Sequence, residues 1–86
     1  MEIIYSGEFI KSAKRLPKSS KIKLASLLEL LKDNQFHPKL HTKPLVKNFK
    51  GFYSLRITRD WRVIFTFQNP QNIILVDVAH RKDIYK

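Results

Sequence analysis

The C-terminal end of the chain concentrates side chains that can act on a phosphate group. His80, Arg81 and Tyr85 lie within the last seven residues, directly after an apolar run. An imidazole exchanges protons near neutral pH, a guanidinium stabilises charge that develops on a phosphate, and a phenol ring can stack on a base. Charged residues are also common at ordinary chain ends, so this interpretation needs support from the rest of the sequence.

Two further arginines, Arg56 and Arg62, flank a predicted tight turn between two strands. Alternation with period two places each arginine on the face opposite to the apolar residues of its strand. On neighbouring strands the two guanidinium groups are close enough to bind one phosphate or two adjacent ones, and their planar forks suit phosphate oxygens. The alternative is that each arginine is a solvated residue on an exposed sheet face. Their adjacency favours the phosphate site.

The charge of the chain points in the same direction. Its 86 residues include 17 Lys and Arg against 7 Asp and Glu, which gives a formal net charge of +10. Seven of these cations and a single acid, Asp60, fall between residues 39 and 62. A basic stretch of this kind is typical of a surface that binds nucleic acid. A solvated basic face without a dedicated partner is the alternative.

Several classes of site are excluded by residue type. The chain has no cysteine, which excludes disulfides, thiol nucleophiles and thiolate metal sites. His37 and His41 have the spacing of two ligands on a helix, but Pro38 disfavours a helix there. We therefore interpret them as surface histidines and expect neither a metal nor a cofactor. The longest aliphatic run, residues 73–76, is far shorter than the about 20 residues that cross a membrane. No signal peptide is visible, so we expect a cytoplasmic protein.

The first half of the sequence predicts a strand followed by two helices. Residues 1–5 are β-prone, Ser6 can cap a helix, and Pro17 separates two stretches with helical apolar spacing. The second helix is expected to stop at Asp33-Asn34. Prolines and a glycine then indicate a loop over residues 35–51.

The second half predicts strands, because the apolar spacing changes from 3.6 to 2 after residue 51. Two strands meet at Arg59-Asp60, and a turn at residues 69–72 precedes a last strand, residues 73–79, that is apolar enough to be buried on both faces. Residues 1–86 are thus expected to form a single α+β domain of order β-α-α-β-β-β. Its parts are an N-terminal strand, a two-helix hairpin and a three-stranded antiparallel sheet.

The order of elements and four short segments together resemble the RelE/ParE superfamily of toxins from toxin–antitoxin pairs. The segments are Lys43-Pro44-Leu45, Gly51-Phe52-Tyr53-Ser54-Leu55-Arg56-Ile57-Thr58, Trp61-Arg62-Val63-Ile64-Phe65 and Ala79-His80-Arg81-Lys82-Asp83-Ile84-Tyr85. The RelE branch of this superfamily cuts mRNA in the ribosomal A site with the RNA's own 2′-hydroxyl as nucleophile, and the ParE branch poisons DNA gyrase. The ending of the form His-Arg-x-x-x-Tyr is more similar to the RelE branch.

The resemblance implies roles for particular residues. Arg62 matches a family arginine that contacts the scissile phosphate, Arg81 matches an arginine after the last strand, and Tyr85 matches a tyrosine that stacks on or orients the nucleotide. Ser54 and Lys43 depart from the family, because basic residues or a glutamate act as the proton acceptor at those positions in relatives. Proton transfer is therefore assigned to His80. The full catalytic set predicted is Arg56, Arg62, His80, Arg81 and Tyr85. The RNA-binding set predicted is Lys43, Lys47, Lys50, Ser54 and Arg59.

The expected function is that of a type II toxin that acts as a metal-independent, ribosome-dependent mRNA endoribonuclease. The partners that the resemblance implies are an acidic antitoxin, mRNA and the ribosome, with no membrane. The toxin–antitoxin complex is expected to oligomerise and to bind operator DNA through the antitoxin. Two alternatives stay open. One is a ParE-like inhibitor of DNA gyrase, and the other is a catalytically inactive module that binds RNA or the ribosome.

Overall fold

Five strands form one mixed sheet in the order β1-β5-β4-β3-β2. The computed structural model describes residues 1–84. β1 runs parallel to β5, and the other neighbouring pairs are antiparallel. The strands are β1 (Glu2–Tyr5), β2 (Lys43–Pro44), β3 (Phe52–Arg56), β4 (Trp61–Asn69) and β5 (Asn72–His80).

Two helices follow β1 as a hairpin, as the sequence predicts. They are α1 (Gly7–Lys14) and α2 (Lys18–Asp33), and a short helix, α3 (Arg81–Ile84), follows β5. Ser6 caps α1, since its hydroxyl accepts a hydrogen bond from the Phe9 N–H at 3.1 Å. Pro17 precedes the first turn of α2, where its missing N–H costs nothing. No helix within residues 1–84 is long and apolar enough to span a membrane.

The main core lies between these helices and one face of the sheet. The predicted alternation holds on β3 and β4, because Leu55, Val63 and Phe65 are fully buried there. Phe65 has the Tyr53 ring 5.7 Å away and the Phe67 ring 6.0 Å away. The α+β class and the position of β5 between two other strands are confirmed.

The region predicted to be a loop, residues 35–51, contains more structure than expected. It holds two 3-10 turns, Pro38–Leu40 and Lys47–Phe49, and between them the edge strand β2. A two-residue strand shows no period-two pattern, which is why the sequence did not reveal it. Its Pro44 is tolerated because an edge strand has a free side where no N–H is needed.

A second apolar cluster lies on the sheet face away from α1 and α2. Leu45, Ile64 and Ile84 are buried in it. Four partly buried side chains pack against them: Phe49, Phe52, Val76 and Ala79. This cluster fixes the loop after β2 and the helix α3 on the same face, so that face is only partly open to solvent.

A β-bulge in β5 changes which side chains share a face. Phe65 pairs with Leu75 but Ile64 pairs with Asp77, so Val76 is an extra residue in β5. The freed backbone groups are bonded to serines. The Ser6 hydroxyl donates to the Val76 carbonyl at 3.0 Å, and the Val78 N–H donates to the Ser12 hydroxyl at 2.9 Å. Beyond the bulge, the alternation of β5 is shifted by one residue.

We expect Ser6→Ala to lower the free energy of unfolding by about 1–2 kcal/mol, because it removes both the cap of α1 and the donor to the Val76 carbonyl. Urea denaturation followed by circular dichroism measures the change. Ser26→Ala is the matched control, since the Ser26 hydroxyl is exposed and bonds only to Lys23 within its own helix. Equal midpoints for the two variants would refute the role of Ser6.

Candidate phosphate-binding site

Cations from three neighbouring strands lie on the sheet face away from α1 and α2. In the strand register, Arg56 pairs with Arg62, and Lys43 pairs with Ser54. Directly paired residues point to the same face of a sheet. Since Leu55 and Val63 point into the main core, the side chains of Lys43, Arg56 and Arg62 start from the opposite face.

These cations line a small cavity together with a histidine. The cavity measures about 80 Å³ and is lined by His41, Lys43, Arg56 and Arg62. Since about 10–15 Å³ of such space holds one water molecule, it admits a group of several heavy atoms, such as a phosphate. Within residues 1–84, its lining contains a lysine, two arginines and no carboxylate. The cavity therefore favours an anion.

Arg62 is fixed within the protein. Its side chain is buried, with the residue only 7% exposed. Nη1 donates to the carbonyls of Thr58 at 2.6 Å, Arg59 at 2.9 Å and Trp61 at 3.2 Å. These bonds hold the turn between β3 and β4 and orient the guanidinium, whose Nε and Nη2 remain as further donors. Arg56, by contrast, is exposed.

The structure places His80 away from this cavity, which corrects the prediction that it surrounds the same phosphate as Arg56 and Arg62. His80 pairs with Trp61, whereas Arg62 pairs with Ala79, so the histidine and Arg62 start from opposite faces. The His80 ring lies 5.2 Å from the Trp61 ring, edge to face. The bulge at Val76 is the physical reason, because without the extra residue the strand would bring His80 to the face of Arg62.

Arg81, another predicted catalytic residue, is not among the described residues that line the cavity. Arg81 begins α3, its N–H donates to the Asp60 carbonyl at 2.8 Å, and its Nε lies 3.6 Å from the Asp60 carboxylate. Both side chains of this ion pair are about half exposed, so the pair contributes little to stability. It joins the chain end to the turn that Arg62 also holds. Tyr85 lies outside the described residues.

The predicted RNA-binding residues divide into exposed cations and one buried serine. Lys47, Lys50 and Arg59 are exposed, and Lys47 borders a larger cavity of about 390 Å³ beside Ile84. Ser54 is only 1% exposed, which corrects its assignment as an RNA contact. It lies in β3 between Lys43 and Ile64, beneath the surface that RNA could reach.

His41 is the lining residue that the sequence did not assign to the site. It was interpreted as a surface histidine, and it is indeed exposed, but it follows the first 3-10 turn and borders the cationic cavity. His41 precedes the edge strand β2 by two residues, and the pairing of β2 with β3 holds this part of the chain beside Arg56. The sequence did not reveal β2, so it did not reveal the place of His41. Within residues 1–84, no group of three or more His, Asp or Glu side chains is placed to hold a metal ion.

A family model described as the ParE toxin of the type II toxin–antitoxin system parDE matches residues 3–85. Because that match spans nearly the whole chain, the protein belongs to this family, within the RelE/ParE superfamily of toxins. The resemblance seen in the sequence is therefore confirmed. A comparison with curated proteins gives no match.

Solved structures agree with this membership at the level of the fold. A YoeB/ParE toxin from Agrobacterium tumefaciens is 18% identical with a TM-score of 0.80, and the alignment covers 94% of this chain and 99% of that one. YafQ from E. coli strain BL21(DE3) is 25% identical with a TM-score of 0.79 and coverages of 99% and 98%. A chain of the RelB–RelE antitoxin–toxin complex from Methanococcus jannaschii is 24% identical with a TM-score of 0.74 and coverages of 95% and 94%.

The two paired arginines should differ in their effect on stability. We expect Arg62→Ala to lower the free energy of unfolding by about 2–4 kcal/mol, because three carbonyls lose a charged donor. Arg56→Ala is the matched control and should leave stability unchanged or slightly higher, since it removes a like charge opposite Arg62. Urea denaturation of both variants checks this, and similar losses for the two would contradict the anchoring role of Arg62.

Proposed function

We propose that this toxin is an endoribonuclease that cleaves mRNA on the ribosome. The observation that carries the proposal is the cavity lined by Lys43, Arg56 and Arg62, because the described residues of its lining offer three cations and no carboxylate to a group of phosphate size. It lies on the sheet face that α1 and α2 leave uncovered. A phosphodiester of a single-stranded RNA fits both the charge and the size of this space.

The reaction that suits these groups is internal transesterification. The 2′-oxygen next to the scissile phosphate bonds to phosphorus, and the bond from phosphorus to the 5′-oxygen breaks. The products are a 2′,3′-cyclic phosphate and a 5′-hydroxyl. Arg62, held by the turn, stabilises the charge that develops on the phosphate oxygens, and the exposed Arg56 and Lys43 neutralise the adjoining backbone.

Exposed cations around the cavity provide the rest of the RNA surface. Lys47 and Lys50 lie on the 3-10 turn after β2, and Arg59 lies on the turn that Arg62 holds. Such residues bind backbone phosphates without reading sequence. The ribosome supplies both the substrate and further anionic surface, which places the activity in the cytoplasm. We further propose an acidic antitoxin as partner, in keeping with the RelB–RelE antitoxin–toxin complex among the similar structures.

A second candidate function is inhibition of DNA gyrase. The observation that favours it is the description of the matching family model, which names the ParE toxin. Inhibition by binding would require the fold and its basic surface but no chemistry at the cavity. An inactive RNA- or ribosome-binding module is the third possibility, and it shares the same basic surface.

Cleavage on ribosomes tests the proposal directly. We expect the purified protein, added to a reconstituted translation mixture, to cut a defined mRNA in single-turnover conditions and to leave a 5′-hydroxyl end. Arg56→Ala should lower the rate by about 10²–10³, the usual loss when one donor to a developing anion is removed. Primer extension measures the cleavage rate, and labelling of the new ends identifies the 5′-hydroxyl.

Arg15→Ala is the matched control and should keep the wild-type rate, because Arg15 is exposed at the end of α1, on the other side of the sheet. An mRNA with a 2′-deoxynucleotide at the cut position should resist cleavage. Intact mRNA together with loss of gyrase supercoiling would favour the second candidate. Ribosome binding without either effect would favour the inactive module.

The salt dependence of RNA binding tests the surface around the cavity. The log–log slope of affinity against salt is about −0.7 for each phosphate contacted on a single strand. The double variant Lys47→Gln, Lys50→Gln should therefore flatten the slope by about 1.4. Fluorescence anisotropy with a labelled 2′-deoxy-substituted RNA measures it. The double variant Lys11→Gln, Lys14→Gln on α1 is the control, because it removes the same charge elsewhere. If both double variants flatten the slope equally, the effect comes from net charge and not from contacts of Lys47 and Lys50 with RNA.

A further inference from the structure

His41 occupies a defined place beside the arginine pair. His41 lies two residues before β2 and lines the cavity together with Lys43, Arg56 and Arg62, and Arg56 itself pairs with Arg62. The imidazole therefore lies at the side of the proposed phosphate position.

Among the lining residues that the structure describes, only the His41 side chain carries a nitrogen lone pair that can accept a proton. The guanidinium groups of Arg56 and Arg62 do not deprotonate in proteins, and the Lys43 ammonium is a donor. A neutral imidazole has one free nitrogen lone pair. His41 also borders a neighbouring groove. The charged groups that face it from the surrounding elements are Lys23, Lys39, Lys43, Arg56 and Arg62.

The backbone around His41 is held in an uncommon conformation. His41 has φ 50° and ψ 44°, in the left-handed region that side chains other than glycine seldom adopt. Its N–H donates to the Pro38 carbonyl at 3.3 Å, and the next residue, Thr42, donates through its hydroxyl to the Gln35 carbonyl at 2.6 Å. Such locally costly conformations persist where the surroundings impose them, and they cluster at functional sites.

The imidazoles of the other two histidines, His37 and His80, already accept hydrogen bonds. The Nδ1 atoms of His37 and His80 each accept a backbone N–H, from Lys39 at 3.1 Å and from Lys82 at 3.2 Å. His80 also lies against Trp61 on the opposite face of the sheet. Within residues 1–84, the His41 imidazole makes no hydrogen bond, so both of its nitrogens are available to a ligand.

We propose that His41 is the group that accepts the 2′-hydroxyl proton in the cleavage reaction, an inference that rests on the proposed function. The imidazole nitrogen takes the proton as the 2′-oxygen bonds to phosphorus. The bond from phosphorus to the 5′-oxygen then breaks, and that oxygen takes a proton from solvent water. The imidazolium returns its proton to solvent, so the enzyme is unchanged after each turnover.

The test replaces each histidine by asparagine, which tolerates the left-handed conformation but does not exchange protons near neutral pH. Single-turnover cleavage of ribosome-bound mRNA is measured from pH 5.5 to 8.5. We expect His41→Asn to lower the rate by about 10²–10⁴ and to remove the dependence of the rate on imidazole titration. Affinity for 2′-deoxy-substituted RNA should stay within about twofold of wild type, which separates proton transfer from binding. His37→Asn is the control and should keep the wild-type rate and pH profile.

The outcomes separate the inference from the function on which it rests. If wild type cleaves and His41→Asn keeps its rate and pH profile, the assignment of His41 is wrong while the nuclease function stands. If His80→Asn loses the rate and pH dependence instead, the proton acceptor lies on the other face and the assignment is again overturned. If His41→Asn weakens binding as much as it lowers the rate, the residue binds RNA and does not transfer the proton. If wild type does not cleave, the proposed function itself fails.

Discussion

A bulge in β5 decides which side chains of this strand lie on each face of the sheet. An extra residue, Val76, shifts the alternation of the strand, and the backbone groups that it frees are bonded to the hydroxyls of Ser6 and Ser12. The same Ser6 hydroxyl caps α1 by accepting a hydrogen bond from the Phe9 N–H. The start of the first helix and the register of an interior strand are therefore fixed by one side chain. Every residue of β5 after the bulge faces the side that this contact dictates.

The arginine pair shows how the turn beside it makes the site possible. Two like charges directly opposite on neighbouring strands destabilise a sheet by a few tenths of a kcal/mol or more. The hydrogen bonds that Arg62 donates to three carbonyls of the turn offset this repulsion. Solvent also screens the charge of Arg56, which is exposed. The result is one guanidinium fixed by the turn and one exposed to solvent. A fixed donor needs no reorganisation when charge develops on a bound anion.

The sequence predicts the parts of this fold whose spacing repeats. The cap at Ser6, the helix hairpin and the alternation on β3 and β4 are confirmed, because each depends on a local pattern several residues long. The features that the sequence did not predict depend on one or two residues each. The extra residue in β5 leaves no mark in an almost continuously apolar strand, so the sequence did not show that His80 and Arg62 start from opposite faces of the sheet. The two-residue strand β2 shows no period, so the place of His41 beside Arg56 was not visible.

Stability and site occupancy are physically linked in this arrangement. The helices and the main core cover one face of the sheet, and the second cluster around Ile64 holds the loop after β2 and α3 on the other. Between these supports the cations are held close together, and none of the described residues that line the cavity is a carboxylate. Their mutual repulsion disfavours the folded state, and the net charge of +10 adds to it. An anion that binds only the folded protein relieves this repulsion and stabilises the fold by mass action. The clustered cations thus lower the stability of the free protein and give it affinity for phosphate.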